Sequence, residues 1–245
     1  MTQKLPENVL NFIERYFNLH INNHVIKCPY FINHGGFLKP PVYAGKGTPD
    51  EIEKVANIVL GQDNLSNDAV LEKMHEKGIG IDCSGLVYQI YDFWLLSVGK
   101  NSLREFLPTV PIYNFRKYIS RMTKPQNSIG ANEFTSEPFS RKINLTEISP
   151  GDLIRTRGGK HLLFITEVEK KDGIVKYLKF VNSARQYKRD GVRYGEIYFG
   201  QDQNLTTARW DDNDLTEQEN WTYKGYRESI NNNGFFRPNI PIFVD

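Results

Sequence analysis

An α+β fold is what this sequence predicts, with helices in its first half and antiparallel strands in its second. Two observations carry that expectation. Apolar residues recur at helical spacing as far as Met122, and after about Thr146 they adopt the alternation of strands. Glycines, prolines and capping residues also fall where helices of the first half should start and stop.

Taken in order, Val9, Phe12, Ile13, Tyr16 and Phe17 repeat at helical spacing, and His20, Ile21 and His24 extend the same pattern. Pro29, Gly35, Gly36, Pro40 and Pro41 then break it. "TPDEIEKVANIVLG" offers Thr48 as N-cap, Pro49 at the first helical position, Glu51 closing a capping box and Gly61 as a stop. "SNDAVLEKMHEKG" repeats the scheme and stops at Gly78. Residues 83 to 98 are apolar on most faces, which predicts a buried central helix closed by Gly99. "IYNFRKYISRM" predicts a further amphipathic helix from Ile112 to Met122.

In the second half, "ISPGDLI" reads as a turn into a strand, and "HLLFITEVEKKDGIVKYLKFVNSA" as a hairpin about Asp172-Gly173. "GVRYGEIYFG" predicts another strand, and the polar stretch "NLTTARWDDNDLTEQENWTYKG" a loop. The prolines of "GFFRPNIPIFVD" suit an edge strand or a terminal arm. No repeat, low-complexity tract or linker interrupts the chain. Residues 1–245 are therefore expected to form a single domain, with a helical part over 1–123 and a β-rich part over 146–245.

Composition narrows the function classes. The 31 basic and 29 acidic side chains leave a net charge of +2, so no electrostatic case exists for a nucleic-acid or membrane partner. No apolar run is long enough to span a bilayer, and the first residues lack a signal-peptide core, so cytoplasmic localisation is the expectation. Two cysteines are too few for a disulfide framework.

One of those cysteines, Cys83, follows Asp82 at the start of the apolar helix. Asp82 can cap that helix, which puts Cys83 in the first turn, where the dipole and N–H groups favour a thiolate and can receive an oxyanion. The Asp82 charge opposes this, because a neighbouring anion raises a thiol pKa. Taken alone, Cys83 fits a buried structural thiol better than a nucleophile. A histidine base is needed, and the hairpin supplies one. A two-residue turn at Asp172-Gly173 sets Leu163 opposite Asn182 and His161 opposite Ala184. A four-residue loop, Lys170 to Gly173, sets His161 opposite Asn182 directly. Either way His161 and Asn182 share a face, as a base and its orienting amide require.

Three segments in this order, "GIDCSGLVYQIY", "SPGDLIRTRGGKHLLFITEVE" and "LKFVNSA", resemble the NlpC/P60 family of cysteine peptidases and amidases. That resemblance implies a papain-like fold in which N-terminal helices and a buried central helix pack on an antiparallel sheet. It implies Cys83 as nucleophile, His161 as general base and Asn182 in the family's third polar position. Pro29-Tyr30 is similar to the family's Pro-Tyr segment, which implies Tyr30 near the oxyanion or substrate. The substrate class implied is an amide or peptide bond of bacterial cell-wall peptides, with no cofactor. Departures from the family pattern are an apparent insertion over 49–77 and a long stretch over 100–148. A thioester intermediate also serves acyl transfer to an acceptor other than water, and the same fold could act as a non-catalytic binding module.

Other candidates are weaker. His20, His24 and Cys28 would share a helical face, with His34 beyond, but Pro29 disfavours helix at Cys28 and no second ligand set follows, so no metal is expected. "AGKGTPDE" lacks the first glycine of a phosphate loop, and Pro49 removes an N–H that phosphate would need. Arg185, Lys188, Arg189 and Arg193 read as a solvated loop, with reception of substrate carboxylates beside the site as the alternative, and Ser84 is a poorer nucleophile than the thiol beside it.

Overall fold

The computed structural model describes residues 1–61, 65–186, 189–212 and 220–243, and of residues 186, 189 and 190 the backbone alone. The chain opens with β1 (Thr2–Lys4), α1 (Glu7–Phe17), β2 (Leu19–Ile21) and β3 (His24–Ile26). Helices α2 (Pro49–Leu60), α3 (Asn67–Glu76), α4 (Cys83–Ser97), α5 (Phe115–Thr123) and the short α6 (Ala131–Phe134) follow. Strands β4 (Ser140–Ile143), β5 (Leu153–Thr156), β6 (His161–Lys171), β7 (Ile174–Gln186), β8 (Arg189–Tyr198) and β9 (Arg209–Asp211) come next. The chain then closes through α7 (Trp221–Arg227) and β10 (Gly234–Pro238). The class is α+β with an antiparallel sheet.

The chain divides into two compact units. The helical unit comprises Asn11–Gly130 and Ser183–Val192, and the strand-rich unit comprises Met1–Leu10, Ala131–Asn182 and Arg193–Asp245.

In the helical unit the capping chemistry sets the boundaries. Thr48 Oγ1 accepts from the Glu51 N–H at 3.2 Å while Glu51 returns a carboxylate to the Thr48 N–H at 2.8 Å, with Pro49 at the first helical position. Ser66 caps α3 through the Ala69 N–H. Helix α4 buries every residue from Cys83 to Tyr91, as its wide apolar pattern requires. Two expectations fail here. Helix α1 stops at Phe17, and His20, Ile21 and His24 belong to the β2–β3 hairpin, in which Leu19 pairs with Ile26 and Ile21 with His24. The Asn22-Asn23 turn decides the matter: Asn22 takes a left-handed φ of 52° and bonds the Gly61 carbonyl, which no continuing helix could accommodate. Helix α5 begins at Phe115 rather than Ile112, and Ile112, Phe115 and Met122 are exposed.

The strand-rich unit holds one sheet in the order β4-β10-β5-β6-β7-β8-β9, with β1 paired to β6. Its core gathers Ile154, Leu163, Ile165, Phe180, Ile197 and Trp210. The C-terminal strand β10 is not an edge: it lies between β4 and β5, and its Pro238 falls at the strand's last position. Two groups hold it there, buried Phe235 and the Arg237 guanidinium, which forks onto Asp152 at 2.8 and 2.7 Å. The stretch expected as a loop contains β9 and α7. Asn220 caps α7, and the Tyr226 ring packs on Trp210 at a tilt of 32°, with ring centroids 5.6 Å apart. Residues 213–219 of that stretch lie outside the described residues. Among the described residues no helix is long and apolar enough to cross a membrane.

Candidate functional site

Cys83 and Tyr30 belong to the helical unit, whereas His161 and Asn182 belong to the strand-rich unit.

Cys83 is the first residue of α4 and is 6% exposed. Asp82 is the N-cap, its Oδ1 accepting from the Gly85 N–H at 2.6 Å. The same oxygen accepts from Ser84 Oγ at 2.9 Å and from Lys46 Nζ at 2.8 Å. Lys46 also donates to Ser84 Oγ, so the serine hydroxyl is engaged in the same buried network. Two extended segments converge on the residue before this cap. Ile81 bridges Tyr30 in parallel and Lys46 in antiparallel sense, and its N–H donates to the Pro29 carbonyl at 3.0 Å. Half-buried Tyr30 is thereby fixed beside the start of α4. Ser183 Oγ donates to the Ile81 carbonyl at 2.7 Å, tightening the same knot.

Glycines make the knot possible. A Cβ at Gly85 would lie 2.3 Å from the Gly45 carbonyl oxygen, and Gly45 itself has a φ of 78°. A Cβ at Gly45 would lie 2.2 Å from the Phe31 carbonyl oxygen, and one at Gly47 would meet the Val42 and Ile52 side chains, so the glycines of "AGKG" serve close packing of this segment.

His161 is placed by a tight turn. Residues 157–159 all have positive φ, and their turn brings the chain back so that His161 opens β6 directly opposite Thr156 on β5. Across the hairpin the pairing is Lys171 with Ile174 at the turn and Phe164 with Val181 near the far end. Two bulges between them offset one another. One further step of that register sets Asn182 against Leu163, the outcome expected of a two-residue turn. His161, Thr156 and Asn182 consequently share a face.

That face is buried and under-bonded. His161 is 9% exposed, and Asn182 and Thr156 are fully enclosed. Among the described residues His161 Nε2, Thr156 Oγ1 and both amide atoms of Asn182 have no hydrogen-bond partner. Burial pushes the His161 pKa down to about 3, with the Arg193 and Arg157 charges acting in the same direction. Asn182, beside the ring though outside hydrogen-bonding geometry, favours the protonated form. His161 is thus a neutral imidazole at physiological pH, able to accept a proton.

Arg193 corrects an expectation. It is 5% exposed, not solvated, and its Nε lies 3.3 Å from the buried Asp212 carboxylate, which Thr222 Oγ1 also bonds at 2.8 Å. A strand position facing a buried acid explains the difference. Arg185 is exposed, Lys188 lies outside the described residues, and the Arg189 side chain is not described. The zinc reading loses its premise, because His20 and His24 lie on two strands of a hairpin and not on one helical face. Among the described residues no group of three or more His, Cys, Asp or Glu side chains is placed to hold a metal ion.

Sequence reasoning missed Lys46 and Thr156. Lys46 carried no local signal, since its partner lies on another segment. Thr156 was legible in principle, five residues before His161 across a Gly-Gly turn. No family model, curated protein or solved structure compared with this chain matches it.

Proposed function

We propose that this chain is a cysteine hydrolase of the NlpC/P60 type on a papain-like fold, cleaving an amide or peptide bond in bacterial cell-wall peptides. The observation that carries the reading is the buried, neutral His161 ring, whose Nε2 lacks a partner among the described residues on a face shared with Asn182. A buried nitrogen left unbonded calls for an explanation, and a base awaiting a proton provides one. Cys83 at the first turn of α4 is the complementary nucleophile.

The chemistry follows in four steps. His161 Nε2 takes the Cys83 proton as the sulfur attacks the substrate carbonyl carbon. The carbonyl oxygen gains charge and is received by the first-turn N–H groups of α4, with the Tyr30 hydroxyl as a further donor. His161 returns the proton to the leaving amine as the C–N bond breaks, leaving a thioester on Cys83. Water, deprotonated by His161, hydrolyses the thioester and restores the thiol. Asn182 steadies the imidazolium formed along the way.

The test is amine release from stem peptides by the wild type, Cys83→Ala and His161→Ala, with mass spectrometry to detect the thioester. Each substitution should lower kcat/KM by at least about 10³. Binding of the same peptides without turnover by the wild type would identify a non-catalytic module instead.

A further inference from the structure

An N-capping aspartate is an awkward neighbour for a thiolate. The Asp82 carboxylate is needed to close the first turn of α4, yet it is almost fully buried and adjacent in sequence to Cys83. An uncompensated buried anion there would favour the protonated thiol and oppose the helix dipole. Lys46 meets this anion. Its Nζ lies 2.8 Å from Asp82 Oδ1, and the two side chains are 7% and 2% exposed. The contact is built from the backbone outward. Lys46 bridges Ile81, Gly45 accepts from the Asp82 N–H at 2.9 Å, and Gln89 Nε2 donates to the Lys46 carbonyl at 2.6 Å. Gly85 leaves the room, since a Cβ there would lie 3.0 Å from Lys46 Cδ.

We propose that Lys46 is a positioning residue for the nucleophile: it cancels the Asp82 charge at the start of α4, so that the helix N-terminus sets the local field at Cys83. This rests on the reading of Cys83 as nucleophile. Among the described residues of the helical unit, the groups set around the start of α4 include Asp82 at the N-cap, Ser84 on the helix, Lys46 and Tyr30 on the two bridged segments, and Ser183 from β7. Lys46 and Asp82 are the oppositely charged pair among them, in contact at 2.8 Å.

The test needs no substrate. The rate of Cys83 alkylation by iodoacetamide is followed against pH by mass spectrometry in four proteins: wild type, Lys46→Met, Asp82→Asn and the double variant. Buried Cys28 serves as an internal control for unfolding. The midpoint should rise by about one pH unit in Lys46→Met, a roughly tenfold slower reaction at a fixed pH below it, and return towards the wild-type value in the double variant. A purely structural role for Lys46 would not be reversed by removing the Asp82 charge. Where Lys46→Met does not fold, Asp82→Asn and the double variant carry the test. The double variant removes both buried charges together, and its midpoint should lie about one unit above that of Asp82→Asn. Equal midpoints in those two, or no rise in Lys46→Met, would overturn the proposal while leaving the nucleophile standing. A wild-type Cys83 that is refractory, or titrates near the free-thiol value of about 8.5, would overturn both.

Discussion

His161 owes its neutrality to its surroundings: a strand opening in a buried face, with two arginines whose fields oppose a third positive charge. Two consequences follow from a pKa held near 3 when the ordinary value is 6.5. On the proposed mechanism the ring can accept a proton wherever it is unprotonated, though a low pKa also makes it a weaker base, so the acid limb of kcat/KM should lie well below pH 6, and a midpoint near 6.5 would contradict this. For stability, the unfolded chain binds a proton at His161 below about pH 6.5 while the folded chain does not until about pH 3. Stability from this residue is therefore complete above 6.5 and is lost as pH falls towards 3, by up to about 1.4 kcal/mol per unit. Urea denaturation of wild type and His161→Gln between pH 7 and 4 should show the steeper loss in the wild type. Asn182 acts in the opposite direction, favouring the charged ring. On the proposed mechanism, in which the imidazolium forms only during the reaction, Asn182→Ala should lower kcat by about 10- to 100-fold with a smaller change in KM. Thr156 provides a control on the same face. Thr156→Val replaces an unbonded hydroxyl by a methyl of similar size and should raise stability by up to about 1 kcal/mol in the same denaturation experiment.

At the scale of elements, the start of α4 is the most constrained point in the helical unit. Gly85→Ala would drive a Cβ to 2.3 Å from the Gly45 carbonyl, with backbone on both sides unable to give way. Thermal unfolding of that variant should show a loss of several kcal/mol, against about 1 kcal/mol for Thr48→Ala at the capping box of α2. The same contrast explains what the sequence discloses. Helices α2, α3 and α4 are readable because caps, stops and apolar periodicity act within a few residues of one another. The β2–β3 hairpin is not, because Leu19, His20, Ile21 and His24 satisfy a helical period as readily as an alternating one. The Asn22-Asn23 turn is its local signal. Lys46 is illegible for a deeper reason: its meaning lies in Asp82, 36 positions away, brought near by backbone bridges that no local pattern encodes. The face shared by His161 and Asn182 was legible because a short turn fixes strand register, and the two offsetting bulges left that parity intact.

On the scale of the whole molecule, the strand-rich unit is closed by its last strand. Strand β10 sits between β4 and β5, and Arg237 compensates Asp152, whose carboxyl burial pushes up and Arg237 draws back down. Sequence alone suits this segment to an edge or a terminal arm because of its prolines, and nothing local says that both its neighbours precede it by many residues. Arg237→Ala would leave a buried carboxylate without its counter-charge and should cost about 3–5 kcal/mol by denaturant unfolding. Deleting residues from Gly234 onward should abolish cooperative folding of the strand-rich unit, where removal of a true edge would only trim it. The proposed reaction draws Cys83 from one unit and His161 from the other. Amine release from cell-wall stem peptides, measured for wild type, Cys83→Ala, His161→Ala and the double variant, tests it most directly. Residues acting on the same proton should show non-additive losses, so the double variant should be no slower than the worse single variant. Hydrolysis that persists in Cys83→Ala, or losses that multiply in the double variant, would contradict the account.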